Sequence, residues 1–141
     1  MSRRIGSLVS TAVAAATEAF LFITYRGHDA PFHWFTHFLV GGSVALIGMI
    51  VWVVQERRRV RAAAIWVVLG HLVAMFPDFL FAAGIAHQRW MDAFLGHITS
   101  HYIPGGNATW YAIFLGALAG YLAADARLQS SRATGRRRRR A

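Results

Sequence analysis

Four long apolar runs, separated by short polar stretches, divide the chain. They cover roughly Ile5–Tyr25, Trp34–Val54, Ala62–Ala86 and Asn107–Ala124. Each reaches about the 20 residues that a helix needs to cross the hydrocarbon of a bilayer. The pattern predicts an all-α, polytopic membrane protein with four transmembrane helices. Between the third and fourth runs lies the longer connection His87–Gly106. Within it, Trp90–Tyr102 has Trp90, Phe94, His97 and His101 at helical spacing, which predicts a short amphipathic helix at the membrane face. Residues 1–129 are expected to form one transmembrane domain, and 130–141 a disordered basic tail. The first run has Ser2-Arg3-Arg4 ahead of it and Ala14-Ala15-Ala16 within it, which also fits a cleaved signal peptide. The run continues through Phe20-Leu21-Phe22-Ile23, which favours a retained helix.

The charges set the orientation. All 15 basic residues are arginine, and the net charge is +9. Arg3 and Arg4 precede the first run. Arg57, Arg58, Arg59 and Arg61 sit between the second and third. Arg127, Arg132 and Arg136 to Arg140 follow the fourth. This is the positive-inside distribution, and it predicts both termini in the cytoplasm. The use of arginine without lysine suits a GC-rich bacterial genome, so the expected location is a bacterial inner membrane. The arginine-rich side is expected to meet anionic lipid headgroups. Without a nucleic-acid fold signature, nucleic acid is not an expected partner. With no cysteine, disulfides, thiolate metal sites, iron–sulfur clusters and Cys nucleophiles are excluded.

Histidine gathers on the opposite side. His33 and His37 share one face of the second helix with Gly41, Val44 and Gly48. His97 and His101 share the apolar stripe of the predicted amphipathic helix. Imidazoles four residues apart on a helix project side by side and can chelate one ion. Asp78 lies in the outer half of the third helix, where an ionised group is costly unless it has a purpose. A mixture of imidazole and carboxylate suits zinc, with manganese or iron as alternatives. His33, His37, Asp78, His97 and His101 are the candidate metal ligands. His71 lies two turns from Asp78, about 10 Å along the axis, too far for one ion to take both. It is a candidate for support or proton relay. Glu18 on the first helix is a candidate general base, or a buried acid paired with Arg26 or Tyr25. His28 and Asp29 suit a turn before Pro31, and His87 sits at the membrane boundary. On the fourth helix Ala112, Gly116, Gly120 and Ala124 form a small-residue stripe suited to close packing within the bundle or in a homo-oligomer.

Three elements of the chain resemble the membrane-bound metal-dependent hydrolase family, the YdjM-like inner-membrane proteins. Thr36-His37-Phe38-Leu39-Val40-Gly41 is similar to that family's Thr-His-x3-Gly element. Met75-Phe76-Pro77-Asp78-Phe79-Leu80 resembles its Leu-x-Pro-Asp-x-Asp element. Gly96-His97-Ile98-Thr99-Ser100-His101 resembles its His-Arg-Gly-x-Thr-His-Ser element. The order agrees, over about Thr36 to His101. The second Asp is Leu80 here, the last His-to-His spacing is one residue shorter, and a helix precedes the first element. The resemblance implies His37, Asp78, His97 and His101 as ligands, with His33 added. The loss of the second Asp implies one ion rather than two.

The leading expectation is therefore a metal-dependent hydrolase acting on a lipid or lipid-linked substrate at the outer face. Such an ion lowers the pKa of water and polarises an oxygen, with Glu18 or an unliganded His as base. The alternatives are metal binding or transport without catalysis, an accessory membrane subunit, and a haem-binding electron-transfer bundle. The haem reading requires two axial ligands at matched depth, and His71 is the only deep histidine.

Overall fold

The computed structural model describes residues 3–24 and 30–138. Tyr25, Arg26, His28 and Asp29 lie outside the described residues, as do Arg139 and Arg140. The described chain is helical. Its long elements are α1 (Arg3–Thr24), α2 (Ala30–Glu56), α3 (Ala63–Ala82) and α4 (Asn107–Arg138). All four are long and apolar enough to cross a membrane, over Ile5–Thr24, His33–Glu56, Ala63–Ala82 and Asn107–Thr134. The chain is accordingly a multi-pass membrane protein.

α2 is the central element, packing against both α3 and α4, while α1 packs chiefly on α3. Hydropathy explains the arrangement. Leu39, Val40, Leu46, Met49 and Val53 of α2 are buried. On α1 only Ala14 and Leu21 are, and Leu8, Phe20 and Ile23 are left exposed. Exposed leucine and phenylalanine are unfavourable in water and are the expected lipid-facing surface of a membrane helix.

The α2–α3 crossing is made by glycine on both sides. A Cβ built on Gly41 would lie 2.2 Å from the Gly70 carbonyl oxygen, and one on Gly70 would lie 2.2 Å from that of Gly41. Backbones approach this closely only where side chains are missing. The crossing places His37, one turn before Gly41, against the face of α3 that carries Ala74, Met75 and Asp78. The rest of the expected small-residue face of α2 differs: Val44 is exposed and Gly48 has open space where a Cβ would be.

At the arginine end, the turn after α2 is closed by Arg59. Its Nε and Nη2 donate to the two carboxylate oxygens of Asp125, each at 2.7 Å, and Gln129 Nε2 donates to the same carboxylate. One of the arginines expected to face headgroups thus locks the α2–α3 turn to α4.

Two elements differ from the sequence expectation. α4 does not stop near Ala124 but continues through Ser130 to Arg138, so the expected tail boundary is not a helix end. Residues of high helix propensity (Ala, Arg, Gln, Leu) carry it on. The predicted amphipathic helix Trp90–Tyr102 is instead two short 3₁₀ turns, η1 (Arg89–Ala93) and η2 (Thr99–Tyr102). Leu95 and Gly96 both adopt left-handed backbone, with φ of 56° and 69°, and consecutive residues there cannot continue a right-handed helix. The stripe Ala112, Gly116, Gly120 and Ala124 lies beside the packed face of α4 rather than on it. Ala112 and Gly116 are exposed, Gly116 has open space where a Cβ would be, and a Cβ on Gly120 would lie 3.1 Å from Ile50.

Candidate metal centre

The loop between α3 and α4 is built to deliver its histidines to the bundle. Asp92 Oδ1 accepts from the backbone N–H groups of Ile98 and Thr99, at 2.7 and 2.9 Å. Its Oδ2 accepts from the Thr99 hydroxyl at 2.6 Å. A carboxylate that captures two successive N–H groups caps the start of a turn, and here it folds the segment from 92 to 99 back on itself. These hydrogen bonds hold the Asp92 carboxyl below the usual carboxylate range. Trp110 Nε1 of α4 donates to the Ser100 carbonyl at 3.0 Å and ties the second turn to the bundle.

α3 supplies the other anchor. Pro77 sits inside the helix, where it has no N–H to give to the preceding turn. One turn back, the Ala74 carbonyl lies 3.0 Å from Nδ1 of His97. With the proton on Nδ1, that bond leaves Nε2 as the free lone pair. Nε2 lies 3.4 Å from Asp78 Oδ1. The Ala74 carbonyl thus positions a histidine, and Asp78 supplies the carboxylate beside it.

Five of the predicted ligands converge. His37, Asp78 and His97 each offer a ligand atom within 4.8 Å of the others, and so do His33, His37 and His101. His37 belongs to both groups and is fully buried. Its Nε2 is 3.2 Å from Asp78 Oδ2. Its ring stacks on His97 with centroids 4.5 Å apart, and His33 and His101 approach to 4.4 Å.

The donor set fits a divalent cation on two observations. First, buried polar atoms ordinarily have hydrogen-bond partners. Yet both ring nitrogens of His37 and both of His101 are buried without one. Secondly, the donors are imidazoles and one carboxylate, types that ligate divalent transition metals. Electrostatics give the same picture for the loop residues. Burial, and then the neighbouring His37 and His33, push His101 down to about 4, so it is a neutral ligand at pH 7. Burial also works against charge on His97, but the Asp78 hydrogen bond and charge outweigh it and raise its pKa.

The sequence did not single out His87 as part of this centre. Its Nε2 lies 3.3 Å from Nε2 of His97 and 3.5 Å from Asp78 Oδ1, and its ring stacks on Phe81. It follows the end of α3 in a segment without periodicity, so nothing but its place in a histidine-rich loop marked it. Glu18 and His71 stand apart from both groups and bind each other, with His71 Nδ1 2.8 Å from Glu18 Oε2. Trp34 and Phe38 set their rings edge-on to His71. Glu18 therefore pairs with a histidine of α3; Tyr25 and Arg26, its other expected partners, lie outside the described residues.

A cavity of about 680 Å³ adjoins the centre. Asp78, His33, His87, His97 and His101 supply its polar wall, and Leu21, Met75, Phe79, Phe81 and Tyr102 its apolar one. Neither Glu18 nor His71 lines it. Comparison of the chain with protein-family models, curated proteins and solved structures finds no match in any of the three.

Proposed function

We propose that the chain is a membrane-embedded, metal-dependent hydrolase whose substrate is a lipid or a lipid-linked molecule. The observation that carries this reading is the convergence of histidine and aspartate donors, several with no other partner, on the wall of a half-apolar cavity. A cavity of this size falls in the range of small-molecule sites, which are mostly apolar with a few placed polar groups. The resemblance of the Thr36–Gly41, Met75–Leu80 and Gly96–His101 elements to the YdjM-like hydrolases supports the same class. The positive-inside distribution of arginine supports a centre at the extracytoplasmic face of a bacterial inner membrane, with the arginines against anionic headgroups.

His37, Asp78 and His97 would hold a divalent cation, zinc before manganese or iron, with His33 and His101 beside them. Such an ion supplies Lewis acidity toward a phosphoryl or acyl oxygen and lowers the pKa of water. The chain's own residues do the rest. Phe79, Phe81 and Leu21 accept the apolar part of the substrate and keep bulk water out. His87, next to the ligands and with its side chain about one-third exposed to the cavity, is placed to take up and return a proton. The pairing of Glu18 with His71 turns both away from that role. They hold α1 to α3.

The test is hydrolysis of lipid phosphates and lipid esters by purified, zinc-loaded protein, with His87→Ala beside the natural chain. The reading expects turnover that chelation abolishes, and a His87→Ala variant that retains metal but loses activity about 100-fold or more. A metal-loaded protein inert toward both substrate classes would refute it.

A further inference from the structure

We propose that the centre holds two divalent cations that share His37 as a bridging imidazolate, an inference that rests on the metal-centre reading above. His97 shows what an ordinary single-ion ligand looks like. One ring nitrogen is fixed by a backbone carbonyl, the other faces the carboxylate, and the hydrogen bond sets the tautomer. His37 lacks that arrangement. Its Nε2 lies 3.2 Å from Asp78, and both of its ring nitrogens are buried with no hydrogen-bond partner. A metal-binding histidine almost always gives its second nitrogen to a carboxylate, a carbonyl or water. Here the groups around that ring are further histidines: His97, with centroids 4.5 Å away, His101, at 5.1 Å, and His33, at 6.4 Å.

The donors divide accordingly. His37, Asp78 and His97 form one group of donors and His37, His33 and His101 the other, so His37 is common to both. The bridge takes His37 Nε2, 3.2 Å from Asp78, to the first ion and Nδ1 to the second. Both nitrogens of His101 are buried and without partners, so it is not engaged elsewhere. Neutral imidazole carries one N–H. Binding of the second ion displaces that proton to solvent and leaves a ring anion with one lone pair for each ion. The single ion expected from Leu80 rested on the lack of a second carboxylate. A shared imidazolate removes the need for one. Two dications set against Asp78 and one imidazolate leave the centre positive, which favours an anionic phosphoryl group over a neutral ester in the adjoining cavity.

The test uses the full chain in detergent, loaded with zinc for stoichiometry and with Cu²⁺ for electron paramagnetic resonance. Two bound ions per chain are expected, falling to about one in His101→Ala and in His97→Ala separately. Copper at both sites should be magnetically coupled through the ring, so its signal weakens on cooling. His101→Ala should restore the spectrum of isolated copper. One ion in the natural chain would overturn the bridge and leave a single-ion hydrolase standing. Two ions with uncoupled spectra would overturn the shared ligand. Absence of any bound ion would overturn both readings together.

Discussion

Replacing Gly41 by alanine tests whether the α2–α3 crossing sets the geometry of the metal centre. The added methyl would lie 2.2 Å from the Gly70 carbonyl oxygen and 2.4 Å from its carbon. Both are backbone atoms at the middle of a helix and cannot swing aside. Ordinary contact begins near 3.4 Å, so the helices must part by about an ångström. His37 sits one turn away on α2 and Asp78 two turns beyond Gly70 on α3. A parting of that size lengthens their 3.2 Å approach well past the roughly 0.2 Å that metal–ligand distances tolerate. Overpacking of this kind costs about 1–3 kcal/mol. If most of it appears at the centre, zinc affinity falls about 10- to 100-fold. Calorimetric titration of zinc into detergent-solubilised protein measures it. Gly48→Ala is the control, because no atom lies within 4 Å of the added methyl. Gly41→Ala and Gly70→Ala strike the same contact, so the double variant should be less damaged than the two single effects combined. Zinc affinity in Gly41→Ala equal to that of Gly48→Ala would refute the reasoning.

Three further outcomes follow from the same structure. Asp92→Ala removes the acceptor that folds the loop, so zinc binding should weaken while helical circular dichroism stays unchanged; tight binding in this variant would show that the loop needs no such anchor. Zinc affinity should rise with pH through the raised pKa of His97, because the ion must displace its proton. His101, pushed down to about 4, adds nothing to that dependence near neutrality. For the ion held by Asp78 and His97, the loss on acidification should therefore begin above pH 6.5, with a slope of about tenfold per pH unit for the one proton displaced from His97. A pH-independent affinity between pH 6 and 8 would contradict it. Arg59→Ala breaks the clamp on Asp125 at the other end of the molecule, where the arginine side chain is 57% exposed. The expected cost is about 1 kcal/mol or less, read by thermal unfolding, with zinc affinity unaffected.

Particular residues show what the sequence could and could not convey. The four spans are legible because lipid demands a length and an apolarity that few other structures need. Asp78, His37 and the pair His97/His101 stand out for a related reason: ionisable groups at a membrane edge are costly and rarely idle. The route by which they meet was not legible. Helical periodicity puts His97 and His101 on one stripe of a helix, whereas the chain reverses at Leu95 and Gly96 and is held by Asp92. That fold depends on hydrogen bonds from one carboxylate to residues six and seven positions on, which no periodicity encodes. His87 was missed for the same reason, since it reaches Asp78 through the path of the loop. Glu18 and His71 lie on different helices, and only the packing of α1 on α3 makes them partners. The continuation of α4 past Ala124 was not legible, because the span rule marks where a helix leaves the lipid, not where it ends.

X-ray absorption at the zinc edge tests the central claim most directly. The account predicts nitrogen and oxygen ligands at about 2.0–2.1 Å, with the outer-shell scattering of several imidazoles, and loss of that pattern in His37→Ala/His97→Ala. A natural chain that retains no zinc, or a spectrum unchanged in the double variant, would contradict it.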